Sequence, residues 1–326
     1  MVSRAPPSQP ARMRGEFALI ARYFRPLAGP AGLDLSDDAA VLAPPPGREL
    51  VFTADALVGG VHFRADDPPG LIARKALRVN VSDLAAMAAT PLGYLLTIAA
   101  PRAATEAFFA DFARGLAQDQ AEFGVTLLGG DTTATDGVLC LSVTMIGHVA
   151  PGAAVRRNGA RAGDGLWVSG SIGDGALGLA ALSGRLADPD GALADRYLLP
   201  RPRVGLVLTG IASAALDVSD GLVQDVGHLC AASGVGAVIE AGMVPLSAGA
   251  RAAGPEWRAT ILTGGDDYEL AFAVPEGREG ALLAMAAGAG VAVTRIGRFV
   301  AGPAVVSVRD ETGAEMEFPR PGWQHF

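Results

Sequence analysis

Aspartate recurs along this chain in one local context: an apolar run, one or two small residues, then the acid. Ser36-Asp37-Asp38, Thr53-Ala54-Asp55, Gly129-Gly130-Asp131, Asp217-Val218-Ser219-Asp220 and Gly264-Gly265-Asp266-Asp267 all carry it. Any one of these acids reads equally well as a helix cap or turn residue, because short acceptors bond free backbone N–H groups. Ser219 and Asp220, just ahead of Gly221-Leu222, fit that reading. The set suggests more. A strand end followed by glycine puts a carboxylate on a sheet rim, where α/β proteins bind ligands. If several such carboxylates converge, their repulsion is severe unless cations intervene, and hard oxygen donors select Mg²⁺, which keeps company with substrate phosphates. The metal would reconcile a protein of formal charge −8 with an anionic ligand. Glycine-rich turns at Gly129-Gly130 and Gly170 to Gly175 would bring N–H groups to the phosphate oxygens.

Other chemistries find less support. Lys75, the only lysine, lies in the helical stretch Arg74-Lys75-Ala76-Leu77-Arg78 rather than in a glycine-rich turn, which excludes a P-loop. Gly173-Asp174-Gly175-Ala176-Leu177-Gly178 is formally GxGxxG, but it follows mid-chain and lacks a strand-end acid about twenty residues on, so a dinucleotide site is disfavoured. There is no Gly-x-Ser-x-Gly elbow. Among the histidines, His148 and His228 sit in apolar patterns and read as structural, His325 is near the end, and only His62, in Gly59-Gly60-Val61-His62-Phe63, looks like a site residue. Cys140 and Cys230 stand apart in apolar runs without metal-ligand spacing. The absence of an arginine-rich tract argues against a nucleic-acid partner.

The elements that must position these residues alternate. A helix is predicted over 15–27, strands over 40–42 and 50–53, a long helix over 71–89, a strand over 92–99, a helix over 105–123 and strands over 125–128 and 138–149. After a Gly/Arg/Pro-rich stretch at 150–164 the alternation resumes, with strands at 166–169, 216–219, 237–240, 270–274 and 291–296 and helices at 176–186 and 222–232. This is an α/β (α+β) chain of two domains, a mixed-sheet βαβ-rich half over 15–150 and an α/β-type half over 151–326, behind a disordered lead at 1–14. No apolar run is long enough to span a membrane, and the lead lacks a signal-peptide core, which places the protein in the cytoplasm by expectation. Val81-Ser82-Asp83 and Gly129-Gly130-Asp131 are echoed by Val218-Ser219-Asp220 and Gly264-Gly265-Asp266 at similar separations, which hints at related halves.

In order along the chain, Gly15-Glu16-Phe17 with Leu19-Ile20, Val79-Asn80-Val81-Ser82-Asp83-Leu84-Ala85-Ala86-Met87, Gly129-Gly130-Asp131-Thr132-Thr133, Asp217-Val218-Ser219-Asp220-Gly221-Leu222, Gly264 to Leu270 and the closing Gly322-Trp323-Gln324-His325-Phe326 resemble the thiamine-monophosphate kinases. Their superfamily also holds aminoimidazole ribonucleotide synthetase, selenophosphate synthetase and a hydrogenase maturation protein. The resemblance implies a homodimer paired through the N-terminal domain and ATP-dependent phosphorylation of thiamine monophosphate to thiamine diphosphate. It makes Asp38, Thr53, Asp55, Asp83, Asp131, Asp217 and Asp220 ligands of several magnesium ions. It puts Gly130, Asp131, Arg157 and Ser219 against ATP, and His62, Asp266 and Trp323 against the thiamine phosphate. Three positions depart from the family pattern: Ser36 where glycine is usual, Ala54 where a hydroxy residue is usual, and Asp266 where glutamate is usual. Another ATP-using superfamily activity, such as an amidine-forming or selenophosphate-type synthetase, and a catalytically silent nucleotide-binding scaffold are the competing readings.

Overall fold

A computed structural model describes residues 15–324; the lead over 1–14 and the closing His325 and Phe326 lie outside the described residues. The described chain opens with a short helix α1 (Glu16–Leu19) that continues through a π turn and a 3₁₀ turn containing Pro26 to Leu27, where the predicted helix also ends. No strand forms at 40–42. Val41 donates its N–H to Ala31 instead, and Pro44 to Pro46 follow with no N–H groups to offer a ladder.

A four-stranded sheet follows, in the order β1 (Glu49–Val58), β4 (Cys140–Val149), β2 (Thr90–Pro101), β3 (Thr126–Thr135). The β1–β4 and β4–β2 pairs are antiparallel and β2–β3 is parallel. The crossover between β2 and β3 is α3 (Glu106–Phe123), started by the Thr105 hydroxyl, which accepts the Phe108 N–H, and stopped by left-handed Gly124. Helix α2 (Pro69–Ala86) begins with proline in its first turn and is buried along most of its length, since it lies between this sheet and the second half of the molecule. Arg78 fastens it there, pairing with Asp119 of α3 and donating to the carbonyl of Pro200 at 2.9 Å.

The second sheet has six strands in the order β10 (Val306–Arg309), β7 (Gly236–Glu240), β9 (Val293–Val300), β5 (Gly165–Ser169), β8 (Glu269–Val274), β6 (Ala214–Val218). Only the β10–β7 pair is parallel. Helices α4 (Asp174–Leu182), α5 (Ala192–Leu198), α6 (Leu222–Ser233), α7 (Ala248–Ala253), α8 (Arg258–Thr263) and α9 (Glu279–Ala289) complete this half. Strands β5 and β8, and β6 at the sheet's edge, are buried end to end, so even the edge strand is covered on both faces. No helix among the described residues is long and apolar enough to cross a membrane. The echoed words do not occupy equivalent places. Asp83 lies in a helix and Asp220 follows a strand, while Gly129 to Asp131 lie inside a strand and Gly264 to Asp266 in a loop, so three-residue identity here does not mark a structural repeat.

Candidate active site

Thr53 and Asp55 alternate along β1 with the buried Val51 and Leu57, so all four face α2. Asp83, in the last turn of α2, accepts a hydrogen bond from the Thr53 hydroxyl. Strand β6, reaching across from the other sheet, adds Asp217, which lines the same cleft as Thr53 and Asp83 and whose charge meets that of Asp83. The carboxylates crowd one another. Burial first, and then the Asp83 charge, pushes Asp55 up to about 7. Burial, Asp83 and more distant acids hold Asp217 well above the ordinary carboxylate value. Asp83 is raised by burial against the opposing help of Thr53 and Arg157. A hydroxyl and three carboxylates that repel one another as anions are hard-oxygen donors of the kind a divalent cation such as magnesium takes, although Asp55, Asp83 and Asp217 are not gathered as closely as Asp220, Asp225 and His228.

The turn after β6 is built from within. Asp225 of α6 accepts the N–H groups of Ser219, Asp220 and Gly221 at 3.1, 3.0 and 3.1 Å, and burial pushes its carboxyl up to about 7. One of its oxygens lies within 4.8 Å of ligand atoms of Asp220 and His228, while its Oδ2 atom takes all three N–H groups of the turn. His228 is exposed rather than part of an apolar core, because it sits on the outer face of α6. Trp323 is tied to the same turn through its N–H to the Asp220 carbonyl at 2.9 Å and its carbonyl to Gln224 at 2.7 Å, with its ring half exposed. Asp266 joins from the loop before β8: its N–H donates to the Ser219 carbonyl at 2.8 Å and its carboxylate lies 3.2 Å from the Lys75 ammonium. Burial and the charges of Asp266, Asp217 and Asp55 together raise Tyr268, so this tyrosine stands among the acids. His62 accepts the Val58 N–H on Nδ1 at 3.0 Å, which in the neutral ring leaves the proton on Nε2.

Asp38, Gly130 and Asp131 sit elsewhere. They line a cavity of about 470 Å³ with Phe24, Leu35 and Leu128 that shares no residue with the cleft of about 350 Å³ lined by Thr53, Asp83, Arg157 and Asp217. The strand of Gly130 and Asp131, β3, is the far edge of the sheet from β1, three strand spacings or about 14 Å away. The site acids are also not confined to strand ends, since Asp55, Asp131 and Asp217 lie within strands.

The two segments expected to form glycine-rich turns differ in the structure. Gly129 and Gly130 are strand residues. The N–H groups of Gly173 and Gly175 are spent on the buried carboxyl group of Asp267 at 2.8 and 3.1 Å, which burial pushes up to about 8. Glu269 is likewise architectural, buried between Arg196 and Arg203 and accepting the Ser169 hydroxyl at 2.6 Å. Ser82, Asp225, Asp267 and Tyr268 were not singled out from sequence. Their signal was available only as neighbours of the aspartate words, because their partners come from distant segments.

Residues 36–149 match the family model "AIR synthase related protein, N-terminal domain", and residues 161–310 match "AIR synthase related protein, C-terminal domain". A thiamine-monophosphate kinase of Caulobacter vibrioides is 47% identical over 320 residues, covering 95% of this chain and 90% of that one. The solved thiamine-monophosphate kinase of Stenotrophomonas maltophilia K279a superposes with TM-score 0.78 at 40% identity, over 84% of this chain and 89% of that chain. A structure described as AaThiL complexed with AMPPCP and TMP superposes with TM-score 0.77 at 30% identity, over 98% of this chain and 100% of that chain. On sequence, domain content and fold together, this chain belongs to the thiamine-monophosphate kinase family.

Proposed function

We propose that this enzyme transfers the γ-phosphoryl group of ATP directly to the phosphate of thiamine monophosphate, giving thiamine diphosphate. The observation that carries the reading is the meeting of Thr53, Asp55 and Asp83 with Asp217 from the other sheet in one spot where bare carboxylates repel. A relative of the same fold holds AMPPCP and TMP. Thr53, Asp55, Asp83, Asp217 and Asp220 would hold magnesium, and Asp38 and Asp131 would hold it with them in the complete assembly. Bound there, the metal would neutralise and orient the polyphosphate. Arg157, whose charge already reaches Asp83, would meet ATP together with Gly130 and Ser219. Trp323 would stack on the cationic thiazolium, and His62 and Asp266 would present polar groups to the same substrate.

No general base is needed, because a phosphate monoester with a second pKa of about 6 is already a nucleophilic dianion at neutral pH. The protein's work is therefore alignment and charge neutralisation. The domains would divide at 15–150 and 151–326, and two chains would pair through the four-stranded sheet. ATP as co-substrate agrees with a cytoplasmic place. An assay of ADP release with thiamine monophosphate, ATP and Mg²⁺ tests the reading: turnover dependent on all three supports it. ATP hydrolysis without this acceptor, or preference for a different phosphate ester or a carboxylate, would overturn it.

A further inference from the structure

Lys75 is buried, with 3% of its side chain exposed, and its ammonium makes no hydrogen bond among the described residues. Its charge reaches the buried Asp67, and two groups lie directly against it. The Asp266 Oδ1 atom lies at 3.2 Å, off hydrogen-bond geometry, and the ring of Tyr197 lies beneath it with the ammonium 3.8 Å from the centroid. An ammonium taken out of water with all three N–H groups unmet is costly, and a well-packed apolar side chain would serve the fold at least as well. Helix–sheet packing therefore does not account for the residue.

Its partner gives the better account. Asp266 has a left-handed backbone at φ 63°, is tied by its N–H to the turn that carries Ser219 and Asp220, and keeps 26% of its side chain exposed. Lys75 lies eight residues before Asp83 on α2, about 12 Å along the helix. That is a fit for a substrate whose phosphate reaches the acids and whose rings extend away from them.

We propose that Lys75 is a positioning residue: it pins the Asp266 carboxylate from behind, so that the exposed oxygen is held to accept a hydrogen bond from the ring end of the substrate. This rests on the reading above, in which that ring end is the aminopyrimidine of thiamine monophosphate and the donor is its exocyclic amino group. Oxythiamine monophosphate, with a carbonyl in place of that amino group, presents an acceptor to an acceptor.

The test is steady-state kinetics on the full chain with both acceptors, for the wild type, Lys75→Met, Lys75→Arg, Asp266→Asn and the Lys75→Met/Asp266→Asn double variant, with melting temperatures. The wild type should prefer thiamine monophosphate by about 100-fold or more, as sites built to bind a donor do. Lys75→Met should raise KM for thiamine monophosphate about tenfold, leave KM for ATP and kcat within about twofold, shrink the preference over oxythiamine monophosphate, and melt no lower than the wild type. Lys75→Arg should recover part of the preference, and the double variant should behave like Asp266→Asn alone. A wild type that accepts both substrates equally overturns the proposal without any variant. So does a Lys75→Met enzyme with an unchanged KM for thiamine monophosphate, or one whose effect multiplies with that of Asp266→Asn. No turnover of thiamine monophosphate by the wild type would sink the broader reading as well; turnover with any of the preceding results would sink only this one.

Discussion

Asp55 is an anion held where anions are disfavoured, pushed up to about 7 by burial and by Asp83. Asp55→Asn should therefore separate function from folding. Activity should fall by about 100-fold or more, the scale on which a group aimed at transition-state charge acts. Without divalent cation the variant should melt a few degrees above the wild type, because a repulsion has gone. Calorimetry with and without Mg²⁺ reads both halves, and a lower melting point would show that Asp55 supports the fold instead. Asp267 has the same kind of perturbation in a different role. Burial pushes it up to about 8, against the Gly173 and Gly175 N–H bonds and Arg196. The folded chain thus keeps a proton that the unfolded chain has released, so this contribution to stability is whole below about pH 4 and is lost as pH rises through about 8, with a slope of at most about 1.4 kcal/mol per pH unit. Asp267→Asn keeps an acceptor for the two N–H groups and removes the titration. Its stability against urea should fall less steeply between pH 4 and pH 8 than that of the wild type.

At the level of elements, Gly130 shows why a glycine in a functional word need not be there for the ligand. It sits in β3 at φ 152°, and a Cβ built on it would lie 1.8 Å from the Leu96 carbonyl oxygen of the paired strand. Gly130→Ala should cost at least about 2 kcal/mol, from strain and from forcing β2 and β3 apart. The urea midpoint would report it even if nucleotide binding were never measured. Elements of this sort were readable from sequence where local chemistry marks them. Thr105 and Gly124 bracket α3, proline opens α2, and β4 alternates buried Leu141, Val143 and Met145 with Ser142 and Thr144. Elements α5, α7, α8, α9 and β10 were not read from sequence, although Ser247 caps α7 and left-handed Gly290 closes α9; the short ones among them owe their form to tertiary packing more than to local preference. The aspartate words were legible as words. That Asp83 ends a helix and Asp217 lies mid-strand, and that the two meet, depends on how α2 lies against β6, and no periodicity encodes that contact.

The largest consequence concerns the whole molecule, because one chain leaves its acids in two places. Asp55, Asp83 and Asp217 are together, whereas Asp38 and Asp131 line a separate cavity toward the β3 edge of the same sheet. A single site that uses all of them asks for a second copy whose β3 side approaches the β1 side of the first. The outer face of the sheet is suited to such pairing: Phe52 is 61% exposed, Leu95 is 38% exposed, and the register sets Phe52 opposite Ile146, and Ala54 and Leu95 both opposite Thr144. An apolar sheet face of this kind, left to water, is a liability unless another surface covers it. A charge placed at its centre would be buried without a partner on association, at a cost that outweighs the gain from the remaining apolar contact. Phe52→Glu should therefore convert a species of twice 33.1 kDa to one of 33.1 kDa in light scattering, with the circular dichroism spectrum unchanged because the side chain points away from the core. Activity should fall with the dimer and return as protein concentration is raised. A variant that stays dimeric, or a monomer with full activity at every concentration, would mean that each chain closes its own site and that Asp38 and Asp131 reach the other acids by a movement within one chain.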